Sequence, residues 1–214
     1  MKRSLFQKVC ARRWCALVAG ALLPFATIAS TVAPNNVVHL LDGAQDIVVG
    51  RVSTVEDGID ARGVPYTEVK LAVGETLRGA KTETLVFRQF GLTKPRKMAN
   101  GRTLYAVRPN GWPEYHAGER VLLFLTPPAK HTGLRTTVGL EQGKFTITNN
   151  RLQSANSEGA LFDSIVATTG AMSAEDRRLL DSATHDFDAN AMIAFVRHAV
   201  AQRWVETGRL RHAP

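Results

Sequence analysis

Side chains that alternate between oily and polar along a run of residues commit that run to a pleated strand with one face buried. The middle of this chain does so repeatedly. Tyr66, Val69, Leu71, Val73 and Leu77 are apolar, with Thr67, Glu68, Lys70 and Glu75 between them. Gln45 to Val55 is rich in β-branched residues, Ile47, Val48, Val49, Val52 and Val55, whose stiff first torsion suits a strand. The spacing predicts that these two runs form a long hairpin, with Glu56-Asp57-Gly58 as turn and Asp57 through Gly63 closing it. Thr84 to Phe90 alternates again, and Arg120 to Leu125 is a short apolar block between Gly118-Glu119 and Pro127-Pro128. Thr136 to Leu140 and Lys144 to Thr148, joined by Glu141-Gln142-Gly143, complete the set as a final pair. Five or six strands joined by glycine-containing turns fit a small closed barrel, because closure leaves no unpaired edge. An immunoglobulin-like sandwich is the alternative architecture.

Helical periodicity is expected only after Asn149-Asn150. Ser173 with Asp176 three residues on is a capping-box-like start for a short helix through Leu179 and Leu180. A second helix starting at Asp188 places Met192, Val196, Ala199, Val200 and Trp204 on one face and stops at Gly208. That face is expected to dock on the barrel. The fold class is therefore mainly β with C-terminal helices: a five- to six-stranded OB-like Greek-key barrel plus two α-helices packed on it. The divisions are residues 1–29, a cleavable leader; 30–150, the barrel; and 151–214, the helical extension.

The leader is read from charge and hydropathy. Lys2, Arg3, Lys8, Arg12 and Arg13 precede an apolar run from Trp14 to Ala29, with small residues at Thr27 and Ala29 where a signal peptidase reads them. The run is shorter than the roughly 20 residues that span a bilayer, so no stable membrane anchor is expected after cleavage. Export to the periplasm or beyond follows. Five of the 27 basic residues leave with the leader and none of the 19 acidic ones, so the net charge falls from +8 to +3. That small excess gives no mandate for nucleic acid as a partner. Cys10 and Cys15 leave too, and the remaining chain has neither disulfides nor thiolate metal ligands.

No chemical motif stands out. There is no HExxH, no GxSxG turn and no Gly-Lys-Ser/Thr phosphate loop, and the histidines at 39, 116, 131, 185 and 198 are not paired at helical ligand spacing. No cofactor is expected. Binding character is concentrated between Gly91 and Gly118, which carries Lys94, Arg96, Lys97, Arg102 and Arg108 interleaved with Tyr105, Trp112, Tyr115 and His116. A connection that long inside a compact domain is functional or disordered. Aromatic and arginine side chains gather in recognition surfaces because they supply flat area and directed hydrogen bonds at low entropic cost. Arg102, Tyr105, Arg108, Trp112 and Tyr115 are the candidate contacts for an unidentified protein or glycan of the cell envelope. The bland alternative is that Trp112, Pro113 and Tyr115 cap the open end of a barrel.

The order Val48-Val49-Gly50-Arg51-Val52, Tyr66 to Val73, Glu75 to Gly79, Phe87-Arg88-Gln89, Gly118 to Leu125 and Val138 to Phe145 resembles secreted bacterial proteins related to netrin-like, or tissue-inhibitor-of-metalloproteinase-like, OB-fold domains. It spans residues 45–148. The resemblance implies a five-stranded Greek-key barrel and a binding role without a catalytic site. The N-terminal cysteine by which the animal inhibitors chelate their target's zinc has no counterpart, so no functional residue is carried over. An exported hydrolase with a site assembled from dispersed residues is the competing class, and an inhibitor-like module working without that cysteine is another.

Overall fold

The computed structural model describes residues 35–154, 161–168, 170, 172–181 and 187–213. The leader assigned to residues 1–29 lies outside them. Residues 33–214 cluster as one compact unit. The chain runs α1 (Val37–Gly43), β1 (Asp46–Ile59), β2 (Pro65–Arg78), β3 (Thr84–Phe90), β4 (Arg96–Lys97), β5 (Thr103–Leu104) and β6 (Arg120–Leu125). A single 3-10 turn (Leu140–Gly143) then leads to β7 (Lys144–Thr148), β8 (Arg151–Gln153), β9 (Ile165–Ala167), α2 (Ala174–Leu180), β10 (Phe187–Asp188), α3 (Ala189–Ala201) and β11 (Leu210–His212).

The protein is mainly β. Seven strands form one antiparallel sheet in the order β10-β8-β7-β6-β1-β2-β3, and β4–β5 and β9–β11 form two small ribbons. Within it β6, β1, β2 and β3 stand in Greek-key order, the fourth strand returning beside the first. The expected closed barrel does not form. The second edge of β7 is taken by β8, and β3 has a strand partner on one side only. The reason lies in Asn149 and Asn150, both in the left-handed region at φ of 51° and 61°. Two such residues make the tight turn whose twist matches a hairpin, so β7 folds back onto β8 and is no longer free to meet β3. The expected changeover at residue 150 is therefore a turn inside the sheet. The sheet does bend toward closure. Residues 135–138 leave β6 through Val138 N–H to Phe124 O (2.7 Å) and Thr126 N–H to Thr136 O (2.9 Å), and reach β3 through Arg135 N–H to Arg88 O (2.8 Å). Register shifts along β1 between Ile47 and Thr54 supply the bulges such bending needs.

The sheet is buried on both faces at its centre, which explains why β6 reads as an unbroken apolar block. On one face Ile47, Val49, Leu122, Phe124 and Phe145 pack with Leu40 and Leu41 of α1, Phe195 and Val196 of α3, and Trp204. On the other, Val48, Val52, Val69, Leu71, Phe87, Leu123 and Leu125 form a second core.

Four further expectations are corrected. Helix begins before the strands: Asn36 caps α1 by accepting the His39 N–H (3.2 Å), and Val37, Val38, Leu40 and Leu41 bury one face. Glu56-Asp57-Gly58 is strand, paired with Glu68, Thr67 and Tyr66; Gly58 lies under the Tyr66 ring, where a Cβ would collide. The turn is Asp60 to Val64, held by the Asp60 carboxylate accepting the N–H groups of Arg62 and Val64 at 2.9 Å. Thr136 to Leu140 is not a strand; only Thr137 bridges to Leu125. At the C-terminal end, Ser173 and Asp188 cap α2 and α3 through the N–H groups of Asp176 and Ala191. Met192, Val196 and Ala199 are buried on α3, but that helix stops at Ala201, and Trp204 is buried in the turns that follow.

Candidate functional site

After β3 the chain turns sharply at Gly91, where φ is +93° and a Cβ would stand 2.6 Å from the Arg108 Cα. This close approach lets residue 92 pair with the returning strand, Leu92 N–H to Ala106 O (2.9 Å) and Arg108 N–H to Leu92 O (3.0 Å). Asp57 fastens the outgoing limb to the far end of β1. Its carboxylate accepts the Thr93 N–H (2.9 Å), the Thr93 hydroxyl (2.7 Å) and the Thr67 hydroxyl (3.1 Å). Between these anchors the Asn100-Gly101 dipeptide closes the β4–β5 hairpin, with Gly101 N–H bonded to Met98 O (3.0 Å). The ladder sets Arg96 opposite Leu104 and Lys97 opposite Thr103, with Arg102 and Tyr105 flanking.

Beneath this hairpin is an open cleft of about 390 Å³, bordered by Gly58 and Tyr66 on one side and by Arg96, Lys97 and Met98 on the other. Arg88 lies over the Tyr66 ring at 4.2 Å and donates to Glu68 at 2.8 Å, which raises its pKa further. Asp57, the one acid on the cleft wall, is already surrounded by donors.

The five residues singled out by sequence separate into two groups. Arg102 and Tyr105 are solvent-facing on the hairpin, Tyr105 at 74 % exposure. Arg108 is ion-paired with Glu114, and Trp112 is half-buried, edge-on to Phe90 with centroids 6.4 Å apart. Tyr115 is a correction. It is only 5 % exposed, belongs to the second core, and is covered by the Lys144 ammonium 4.9 Å above its ring. Burial pushes its hydroxyl pKa up, and the hydroxyl makes no well-aligned hydrogen bond among the described residues; the adjacent Thr137 hydroxyl, which donates to Leu140 O, could only accept from it. Arg96 and Lys97 belong to the surface more than Arg108, Trp112 or Tyr115 do; the Asn-Gly turn signal beside them marks the hairpin.

Elsewhere, Asp176 is buried and accepts from the Ser173 hydroxyl (2.7 Å) and from His198 Nδ1 (2.9 Å). Serine and histidine converge on the carboxylate and not on each other, so the arrangement braces the start of α2 against α3, and Ser173 is not hydrogen-bonded to His198. Among the described residues no group of three or more His, Cys, Asp or Glu side chains could hold a metal ion, and no helix is long and apolar enough to cross a membrane. Compared with profiles of known protein families, with curated proteins and with solved structures, the chain matches none.

Proposed function

We propose that this chain is an exported, non-catalytic binding module that contacts a protein or glycan of the cell envelope, in the periplasm or outside the cell, through residues 91–118. Arg102 and Tyr105 stand at the centre of the contact. One observation carries the reading: every large apolar side chain exposed among the described residues falls between positions 86 and 107, namely Val86, Phe90, Met98, Tyr105 and Val107. Apolar exposure concentrated on one segment, and interleaved there with cations, is the signature of a surface that is covered in use. The basic leader supports export. The Greek-key order of β1, β2, β3 and β6, with residues 135–138 reaching from β6 to β3, supports kinship with OB-like, netrin-like barrels in an opened form.

A photo-crosslinking benzoylphenylalanine placed at position 105, with a second placed at position 153 on β8 as control, tests the surface. In envelope extract, position 105 is expected to capture one defined component and position 153 none. Equal capture at both, or none at 105, removes the reading. The competing exported hydrolase has the His198–Asp176 pair in its favour; turnover of ester, peptide or glycoside substrates that His198→Ala abolishes would establish it instead.

A further inference from the structure

The cations of the hairpin surface share their cleft with one acid, Asp57, whose carboxylate already accepts from Thr93 and Thr67. Residues 91–118 contain five Lys and Arg and one acid, Glu114, which is spent on Arg108. Lys94, Arg96, Lys97 and Arg102 are exposed and form no ion pair among the described residues. Elsewhere Arg62, Arg78, Arg88, Arg135 and Lys144 each meet a carboxylate, while exposed cations such as Arg51, Lys70 and Arg120 are spread singly over separate strands. Four unpaired cations on one hairpin repel one another and concentrate positive potential over the cleft. By strand alternation Arg96, Met98 and Arg102 stand on one face of the ribbon and Lys97 and Tyr105 on the other, and the cleft that Arg96 and Lys97 border opens beneath them.

Resting on the binding role proposed above, we infer that the ligand of this surface is an acidic, extended segment of a polypeptide that passes around the hairpin, its carboxylates meeting Arg96, Lys97 and Arg102 and its apolar side chains lying on Met98 on one face and on Tyr105 and Val107 on the other. Charge complementarity selects an anion. The aliphatic part of the exposed set, Met98 and Val107, selects peptide side chains over sugar, whose hydroxyls would be stripped of water against them without a hydrogen bond in return. A lone small anion would engage the cleft cations and leave the apolar strip uncovered.

The test is fluorescence anisotropy on the purified protein after removal of the leader. One probe is a labelled twelve-residue peptide alternating glutamate and leucine; the control replaces each glutamate by glutamine. The glutamate peptide is expected to bind, to weaken several-fold between 50 and 300 mM salt as screening shortens to a few ångströms, and to lose roughly tenfold with Arg96→Gln and Lys97→Gln combined. Arg197→Gln, which removes a cation of α3 paired with Glu75 of β2, is expected to change nothing. Circular dichroism of each variant establishes that it is folded, and Arg102→Gln alone gives a second route if the double variant is not. Equal binding of the glutamine peptide, or indifference to the cleft substitutions, overturns the inference. Displacement of the probe by polygalacturonate at lower carboxylate concentration than by unlabelled peptide overturns it in favour of an acidic glycan. Persistent crosslinking from position 105 in 0.5 M salt, with no binding of the glutamate peptide, would sink this inference and leave the binding role intact; loss of crosslinking itself would sink the role.

Discussion

Tyr115 stands edge-on to Phe87, ring centroids 5.6 Å apart at an interplanar angle of 77°, inside the second core. Ten residues earlier in the same connection, Tyr105 lies in solvent. One residue type thus does two unrelated jobs within a single loop. Tyr115→Ala should cost about 3–5 kcal/mol, the range for emptying an aromatic site. Tyr115→Phe should be neutral or stabilising by up to about 1 kcal/mol, because the lost hydroxyl is buried without a well-aligned partner. Tyr105→Ala should stay within about 0.5 kcal/mol of the parent. Urea denaturation reads all three, and a Tyr115→Phe loss as large as that of alanine would contradict the packing described.

Arg135 and Asp46 join the bend of the sheet to the start of β1. Their side chains are 8 % and 17 % exposed, with Nη2 2.7 Å from Oδ2 but out of line for a hydrogen bond, and Nε unpartnered. Breaking such a pair from one side leaves a buried charge alone. Asp46→Ala should therefore cost about 3–5 kcal/mol, and adding Arg135→Met should recover much of it. A double-mutant cycle checks this; additive losses would mean that the two charges are solvated independently.

His39 on α1 and His212 on β11 have ring centroids 3.8 Å apart, with Asn36 Nδ2 3.3 Å from His212 Nδ1 and Asp42 nearby. Burial first, and then His212, lower the His39 pKa, while Asp42 opposes them. A folded value below the unfolded value of about 6.5 means that the unfolded chain takes up the proton first as pH falls. The contribution is complete above about pH 6.5 and is lost as pH drops through the folded value. The denaturation midpoint should fall between pH 7.5 and 5.0, and His39→Gln should flatten that fall. An unchanged slope in the variant would assign the pH dependence to other groups.

Gly58 has the Tyr66 ring where its Cβ would be. Gly58→Ala should destabilise by about 1–3 kcal/mol through overpacking, and Tyr66→Leu in the same chain should relieve most of it. Thermal denaturation of the single and double variants decides; a harmless Gly58→Ala would mean that the ring moves aside freely.

The strands that were legible, β2, β3 and β6, announce themselves through patterns contained within six to fourteen residues. Two-residue β10 and three-residue β8 are too short to show a period. The helix α1 escaped because Val-Val-His-Leu-Leu reads as β-branched and apolar, and its one local signal is the cap at Asn36. Within the loop, residue type alone could not tell exposed Arg102 and Tyr105 from half-buried Arg108 and Trp112 or from buried Tyr115, because a loop has no period from which burial could be read.

Alternation of side chains, a property of neighbours along the chain, was enough to determine a mainly β protein with its longest hairpin near the start and its densest strand at Arg120 to Leu125. Which strand edge stays open, which tyrosine is swallowed and which cations are left unpaired depend on contacts between residues far apart in sequence. Those contacts were settled only when the Asn149-Asn150 turn drew β7 onto β8 and residues 135–138 crossed to β3. The physical reason is that burial is a property of the packed whole, set by whatever arrives from elsewhere in the chain to exclude water.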